Sequence, residues 1–230
     1  VALTKVLAHR GAAQQSPENS LAAFIDARRQ GADGVELDVR RSADGALVVA
    51  HDPAIEGLGL ISELRVADLP PEVALLDAAL EACASMFVNV EIKFDTGEGA
   101  RAAEALAAQV LACSRELRPP EDLLFSSFNL EILASLRRLD AEVSIGWLLD
   151  YFQDPLAFIA PALEQGFAGL HPFVMNLDPE KVAKIQQAGL QVHAWTVDSE
   201  QDLEWLFAAG VDSVITDDVP LARVVQARRG

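Results

Sequence analysis

Cysteine is scarce in this chain: there are two in 230 residues, and Cys83 and Cys113 make neither a CxxC pair nor a metal-ligand spacing. Both lie in apolar, helical-looking stretches, so buried, reduced thiols are expected, which fits a reducing compartment. Basic residues are also few, 18 Lys and Arg against 35 Asp and Glu, for a net charge of −17. A uniformly acidic chain repels phosphate backbones, so nucleic acid is not expected as a partner. No stretch approaches the ~20 apolar residues that cross a bilayer, and no integral membrane segment is expected. Val1 to His9 lacks the basic lead and apolar run of a signal peptide, so a cytoplasmic location is expected, a leader removed ahead of Val1 aside. A dinucleotide fingerprint is missing too. The turn after the first apolar run reads His9-Arg10-Gly11-Ala12-Ala13, which argues against a doubly wound sheet. Linkers, repeats and low-complexity tracts are lacking, while 51% of the chain is hydrophobic. One domain over residues 1–230 with a sizeable core is expected.

What is present is a regular alternation. Short apolar runs occur at Lys5–His9, Gly34–Arg40, Phe87–Lys93, Leu123–Phe128, Val143–Leu148, Phe167–His171, Gln191–Val197 and Ser213–Asp217. Each is strand-length and rich in Val, Ile, Leu or Phe. Between them lie helical segments at Ser20–Gln30, Leu76–Ala84, Ala100–Leu117, Leu130–Leu139, Leu156–Leu163, Pro179–Ala188 and Ser199–Ala208. Gly31, Gly189 and Gly210 close three of them, where a helix end favours positive φ. Eight strands with a helix after most of them predict an α/β fold, the (β/α)8 TIM barrel, whose usual length is ~250 residues. A short insertion at about 52–71 follows the second strand and a hairpin turning at Asp44-Gly45.

Side chains alternate along a strand. In the second strand Val35, Leu37 and Val39 form the apolar outward face, leaving Glu36, Asp38 and Arg40 to point into the barrel. In the third, Val88, Val90 and Ile92 face outward and Asn89, Glu91 and Lys93 inward. Barrel interiors are ordinarily filled with branched aliphatics, so acids at the carboxyl ends of adjacent strands need a reason. Glu36, Asp38 and Glu91 brought together repel one another. A hard divalent cation, Mg²⁺ or Ca²⁺, relieves that repulsion through oxygen ligands. The competing reading is an ion-pair network in which Arg40 and Lys93 neutralise the acids. Of four histidines, His9 ends the first strand beside Arg10 and His51 precedes Asp52. Both suit general acid or base work, whereas His193, deeper in its strand, reads as structural.

His9-Arg10-Gly11, Pro17-Glu18-Asn19-Ser20, Glu36-Leu37-Asp38, His51-Asp52, Glu91-Ile92-Lys93, Ser127-Phe128, Trp195-Thr196-Val197 and Thr216-Asp217 occur in that order over nearly the whole chain. This ordered set resembles the glycerophosphodiester phosphodiesterase family. The resemblance implies a (β/α)8 barrel that hydrolyses glycerophosphodiesters, small-molecule substrates, to sn-glycerol 3-phosphate and an alcohol. It also implies Glu36, Asp38 and Glu91 as ligands of Mg²⁺ or Ca²⁺, His9 and His51 as the acid/base pair, and Arg10 and Lys93 against phosphate oxygens. It implies a cyclic phosphate intermediate, and leaves open which histidine acts first and which alcohol departs. Glu18 and Asn19 belong to its site pattern, although Asn19 or Ser20 equally suits a helix cap. Trp195 belongs to it as well, and Phe128 joins Trp195 at a strand end where a leaving group is shaped. Trp147 reads as core or rim, and His171 and Asp217 as supporting residues, with Asp217 or Asp218 suited to cap the last helix. The insertion is short, and Leu58, Leu60 and Ile61 form an apolar lip or pack on a helix. An amidohydrolase-type site expects two histidines one residue apart on the first strand, which His9-Arg10-Gly11 lacks. A silent phosphate-binding barrel expects a lost histidine or carboxylate, and both sets are present.

Overall fold

The apolar runs pair as parallel strands in a computed structural model that describes residues 3–94 and 99–229. Strands β1 (Lys5–Ala8), β2 (Gly34–Arg41), β6 (Phe87–Ile92), β7 (Leu123–Ser127), β8 (Ile145–Leu148), β9 (Gly169–His171), β10 (Gln191–Ala194) and β11 (Ser213–Thr216) follow one another around a barrel. β1 pairs in parallel with both β11 and β2, which closes it. The expected hairpin adds β3 (Leu47–Val49) antiparallel to β2, with Gly45 at φ 86° in its turn. In the insertion, β4 (Ala54–Ile55) and β5 (Gly59–Leu60) make a two-stranded ribbon. Closure leaves no long open sheet edge on the barrel, and the outer faces of the strands pack on helices. Val35, Leu37, Val39, Val88, Val90 and Ile92 are all fully buried in that layer.

The helices are α1 (Leu21–Arg29), α2 (Leu76–Ala82), α3 (Ala100–Leu117), α4 (Leu130–Leu139), α5 (Ile159–Glu164), α6 (Pro179–Gln187), α7 (Glu200–Ala209) and α8 (Val219–Ala227). Short polar side chains start most of them. Ser20, Asn129, Asp178, Ser199 and Asp218 each accept a backbone N–H of the first turn, the usual N-cap device. Gly31, Gly189 and Gly210 take positive φ behind α1, α6 and α7, as the pattern predicts. The strands expected over Val143–Leu148 and Phe167–His171 run Ile145–Leu148 and Gly169–His171, and two further differences follow. The fifth helical unit opens as a 3-10 turn, Pro155–Phe158, before α5, because Pro155 and Pro161 each remove a backbone donor. The strand expected to reach Val197 ends at Ala194, and Trp195 makes a lone bridge to Phe173. Cys83 is buried, whereas Cys113 is half-buried on α3, and both thiols are unpaired.

The barrel interior is polar in its middle. Asn89, Ser126, His171, His193 and Ser213 are all buried there. His193 Nδ1 lies 2.8 Å from Ser213 Oγ and its Nε2 lies 3.2 Å from Gln191 Oε1. The His171 ring stacks on His193 with centroids 4.5 Å apart. Gly146 makes the room: a Cβ there would lie 2.0 Å from His171 Nε2. Burial holds both imidazoles neutral, His193 pushed down to about 3 and His171 also well below its ordinary value.

Candidate active site

The carboxyl ends of β1, β2 and β6 carry the polar residues, and the register explains why they meet. Glu36 stands opposite Asn89 and Asp38 opposite Glu91. One carboxylate oxygen from each of Glu36, Asp38 and Glu91 lies within 4.8 Å of the others. All three side chains are buried. Burial first, and then the charge of Asp38, push the Glu36 carboxyl up to about 8 and that of Glu91 up to about 7. Burial also opposes ionisation of Asp38, but Lys93, the Asn19 amide and Arg10 outweigh it and hold the group below the ordinary carboxylate value. Lys93 Nζ lies 3.0 Å from Asp38 Oδ1 and pairs with Glu91 as well. Arg10 Nε is 3.5 Å from Asp38 Oδ2, and the Arg10 N–H donates to Glu36 Oε2 at 3.1 Å. The second cation at the acids is therefore Arg10. Arg40 donates to the His51 carbonyl at 3.0 and 2.7 Å.

The donor set also fits a hard divalent cation. Three carboxylates converge, and Glu36 Oε1 is buried with no hydrogen-bond partner among the described residues. Two acids held against ionisation by burial and mutual repulsion are groups that a cation would relieve.

His9 follows β1 directly. Its Nδ1–H donates to Asp217 Oδ1 at 2.8 Å. Asp217 is fixed in turn, since its own N–H donates to Asp198 Oδ1, which also accepts from Thr216 Oγ1. Burial pulls the His9 pKa down, but Asp217 and the Glu36 charge outweigh it and leave the imidazole above its ordinary value. His51 makes the matching contact with Asp52 Oδ1 at 2.8 Å, yet burial and the Lys93 charge leave it below. Arg10 and Asn19 both sit at positive φ, 53° and 57°. That turn aims the Arg10 guanidinium at Glu18, with contacts of 3.1 and 3.0 Å.

Asn19 resolves an open question. Ser20 is the N-cap of α1, and Asn19 turns inward, where its amide donates to Asp38 Oδ2 at 2.8 Å and accepts from the Asp38 N–H at 3.3 Å. A cavity of about 310 Å³ joins His9, Arg10, Glu36, His51, Glu91 and Lys93 on one side to Phe128 and Trp195 on the other. The expected site residues Glu18, Asn19 and Asp38 do not line it, but Glu18 and Asp38 touch Arg10 and Asn19 touches Asp38. Asn89 and Tyr151 also line it. No motif pointed to Tyr151, the one tyrosine of the chain, which sits in the loop after β8. Ile61 is buried and Leu58 and Leu60 are exposed outside this cavity, so no common lip forms. Trp147 packs edge-on against Phe158 and Phe167, in the core.

The model of the glycerophosphoryl diester phosphodiesterase family matches residues 9–221. The chain belongs to that family. Its members are phosphoric diester hydrolases, and the relatives agree along the full length. A glycerophosphodiester phosphodiesterase of Caldanaerobacter subterraneus subsp. tengcongensis is 32% identical, covering 99% of each chain. A phosphodiesterase of Oleispira antarctica, solved with its product sn-glycerol 3-phosphate, is 29% identical with a TM-score of 0.87, covering 99% of this chain and 98% of that one. A glycerophosphodiester phosphodiesterase of Thermotoga maritima is 28% identical with a TM-score of 0.82, covering 98% and 99%. Membership sets aside the amidohydrolase reading. Among the described residues no helix is long and apolar enough to cross a membrane.

Proposed function

We propose that this member of the family hydrolyses glycerophosphodiesters to sn-glycerol 3-phosphate and an alcohol, with a divalent cation, Mg²⁺ or Ca²⁺, as cofactor. The observation that carries this reading is the meeting of three buried carboxylates with two histidines, an arginine and a lysine at one cavity. Glu36, Asp38 and Glu91 are the residues that would hold the ion, and when bound it supplies positive charge against a phosphate oxygen. Arg10 and Lys93 add fixed positive charge, which an anionic diester needs before phosphorus accepts a nucleophile. Glu18 steers Arg10, and Phe128 and Trp195 flank the departing alcohol.

His9 and His51 divide the proton work. One takes the proton of the glycerol 2-hydroxyl as its oxygen bonds to phosphorus. The other gives a proton to the alcohol oxygen as the P–O bond to the alcohol breaks. Water then opens the cyclic phosphate with the two roles exchanged, restoring both imidazoles. A cavity of about 310 Å³ suits a small-molecule substrate, and reduced thiols accord with a cytoplasmic setting.

The test is release of glycerol 3-phosphate from a panel of glycerophosphodiesters with each metal. Turnover that chelator abolishes and Mg²⁺ or Ca²⁺ restores is expected, and turnover indifferent to chelation overturns the metal assignment. His9→Ala and His51→Ala should each lower kcat by ~10² or more with the melting temperature kept. A variant at full activity removes that histidine from the scheme. Added cation should raise the melting temperature, and Asp38→Asn should blunt the rise.

A further inference from the structure

Asn89 shares the inward face of β6 with Glu91 and Lys93 but stands two residues nearer the amino end, opposite Glu36. That position puts it below the acids, on the floor of the cavity. Its side chain lines the cavity and is 1% exposed. Nδ2 and Oδ1 are both buried with no hydrogen-bond partner among the described residues. An unmatched buried amide destabilises a fold, and native proteins keep few of them. Three other residues lining the cavity carry an unmatched polar atom, Arg10, Glu36 and Glu91. Those three are ionisable, and the phosphate and the cation account for them. Ser126 and His171 are unmatched as well, but neither lines the cavity. Asn89 is left as a neutral donor and acceptor turned towards the space a substrate would take.

The two unmatched atoms define what would match them. An anion could accept from Nδ2, but Oδ1 and the acid opposite, Glu36, would repel it. An ammonium could donate to Oδ1, but it would meet the Nδ2 hydrogens and the charges of Arg10 and Lys93. An apolar group would leave both atoms bare. A hydroxyl donates and accepts at once, and a primary amide presents Oδ1 and one N–H side by side, so one hydroxyl satisfies both. The diester supplies such a group. Of the two hydroxyls on its glycerol unit, the 2-hydroxyl attacks phosphorus and the terminal one is without a partner in the scheme. Leu148 and Ile215, both buried, line the same cavity and offer a charged group no side-chain hydrogen bond. We propose that Asn89 binds the terminal hydroxyl of the glycerol unit and makes the site specific for diesters in which that hydroxyl is free. This inference rests on the diester reading above and adds the residue that reads the glycerol end.

Two diesters with the same reacting parts test it: sn-glycero-3-phosphomethanol and its 1-deoxy analogue, methyl 2-hydroxypropyl phosphate of matching configuration. Both keep the 2-hydroxyl and the methanol leaving group, so methanol release reads both. The parent protein is expected to favour the glycerol diester at least about tenfold in kcat/KM, because the deoxy analogue leaves the buried amide unmatched. Equal values for the two diesters would keep the reaction and overturn the proposal. Asn89→Leu nearly keeps the side-chain volume and removes both polar atoms. In that variant the ratio should fall towards one, and an unchanged ratio rules out Asn89 as the reader. Calorimetry on the parent protein needs neither turnover nor a variant. There sn-glycerol 3-phosphate should bind at least about tenfold more tightly than 2-hydroxypropyl phosphate. Equal affinity is the result if ordered water alone matches the amide, and it overturns the proposal. No turnover of either diester, with glycerol 3-phosphate still preferred, would sink the reaction and leave the hydroxyl contact standing.

Discussion

Asp217 and Asp218 are adjacent carboxylates with different work. Asp218 Oδ1 accepts the Leu221 N–H at 2.9 Å and caps α8, while Asp217 holds Nδ1 of His9. That contact fixes the ring so that Nε2 is the nitrogen left for proton transfer. Asp217→Asn keeps the shape and removes the charge. It is expected to lower kcat about tenfold or more with little change in KM, and to shift the pH profile of kcat. Asp218→Ala is expected to leave kcat alone and to destabilise by about 1 kcal/mol through the lost cap. Steady-state kinetics and thermal melts on the two variants separate these roles, and equal kinetic losses would overturn the distinction. The sequence left this pair undecided, as it did Asn19 and Ser20, for a shared physical reason. Either neighbour satisfies the local hydrogen bond of a cap. The partner that breaks the tie, His9 for Asp217 and Asp38 for Asn19, is distant in the chain and is brought near only by barrel closure.

At the scale of the element, strands and helices were legible because each outward strand face repeats every second residue and each helix carries its own start and stop. Glu36, Asp38 and Glu91 stood out on the same ground, as acids on a face that barrels fill with aliphatics. The aromatic lining of the cavity was not legible beyond Phe128 and Trp195. Tyr151 lies in a loop, where side-chain direction has no period to read. The turn between β1 and α1 is the element on which the site depends most. Gly11 takes φ 82°, and a Cβ there would meet Ala23 Cβ at 2.7 Å and the Ala23 backbone carbon at 2.8 Å. Gly11→Ala is expected to cost about 1–3 kcal/mol from overpacking. It should also lower activity, because the displaced turn carries the Arg10 N–H that donates to Glu36. Gly31→Ala is the control. Its φ is 84° but nothing lies within 4 Å, so about 1–2 kcal/mol of left-handed strain is expected with kcat unchanged. Melting curves and turnover on both variants check the pair, and a Gly11→Ala protein with parental kcat would detach the turn from the chemistry.

For the molecule as a whole, a polar barrel interior ties stability to pH. His171 and His193 are buried and neutral, and burial, the largest cause for each, holds their pKa values down, that of His193 to about 3. Repulsion that a second protonated ring would meet from His193 adds to this at His171, and the charge of Lys5 adds at His193. In the unfolded chain both titrate near 6.5. Above that pH neither state binds the proton and the histidines contribute nothing to pH dependence. Below it the unfolded chain takes up protons that the folded barrel refuses, so stability falls as the pH falls. The slope is about 1.4 kcal/mol per pH unit for each histidine once unfolded-state protonation is complete, and for His193 it persists to about pH 3. Glu36 and Glu91, pushed upward by burial, act in the opposite sense, which makes the difference between two proteins the useful quantity. Denaturant unfolding of the parent and of His193→Gln at several pH values from 7 down to 4.5 supplies it. The variant should lose close to one proton from the slope of unfolding free energy against pH at the acid end of that range, whatever its absolute stability. Parallel slopes would mean that His193 is protonated inside the folded barrel, against the burial and the two hydrogen bonds that hold its ring there.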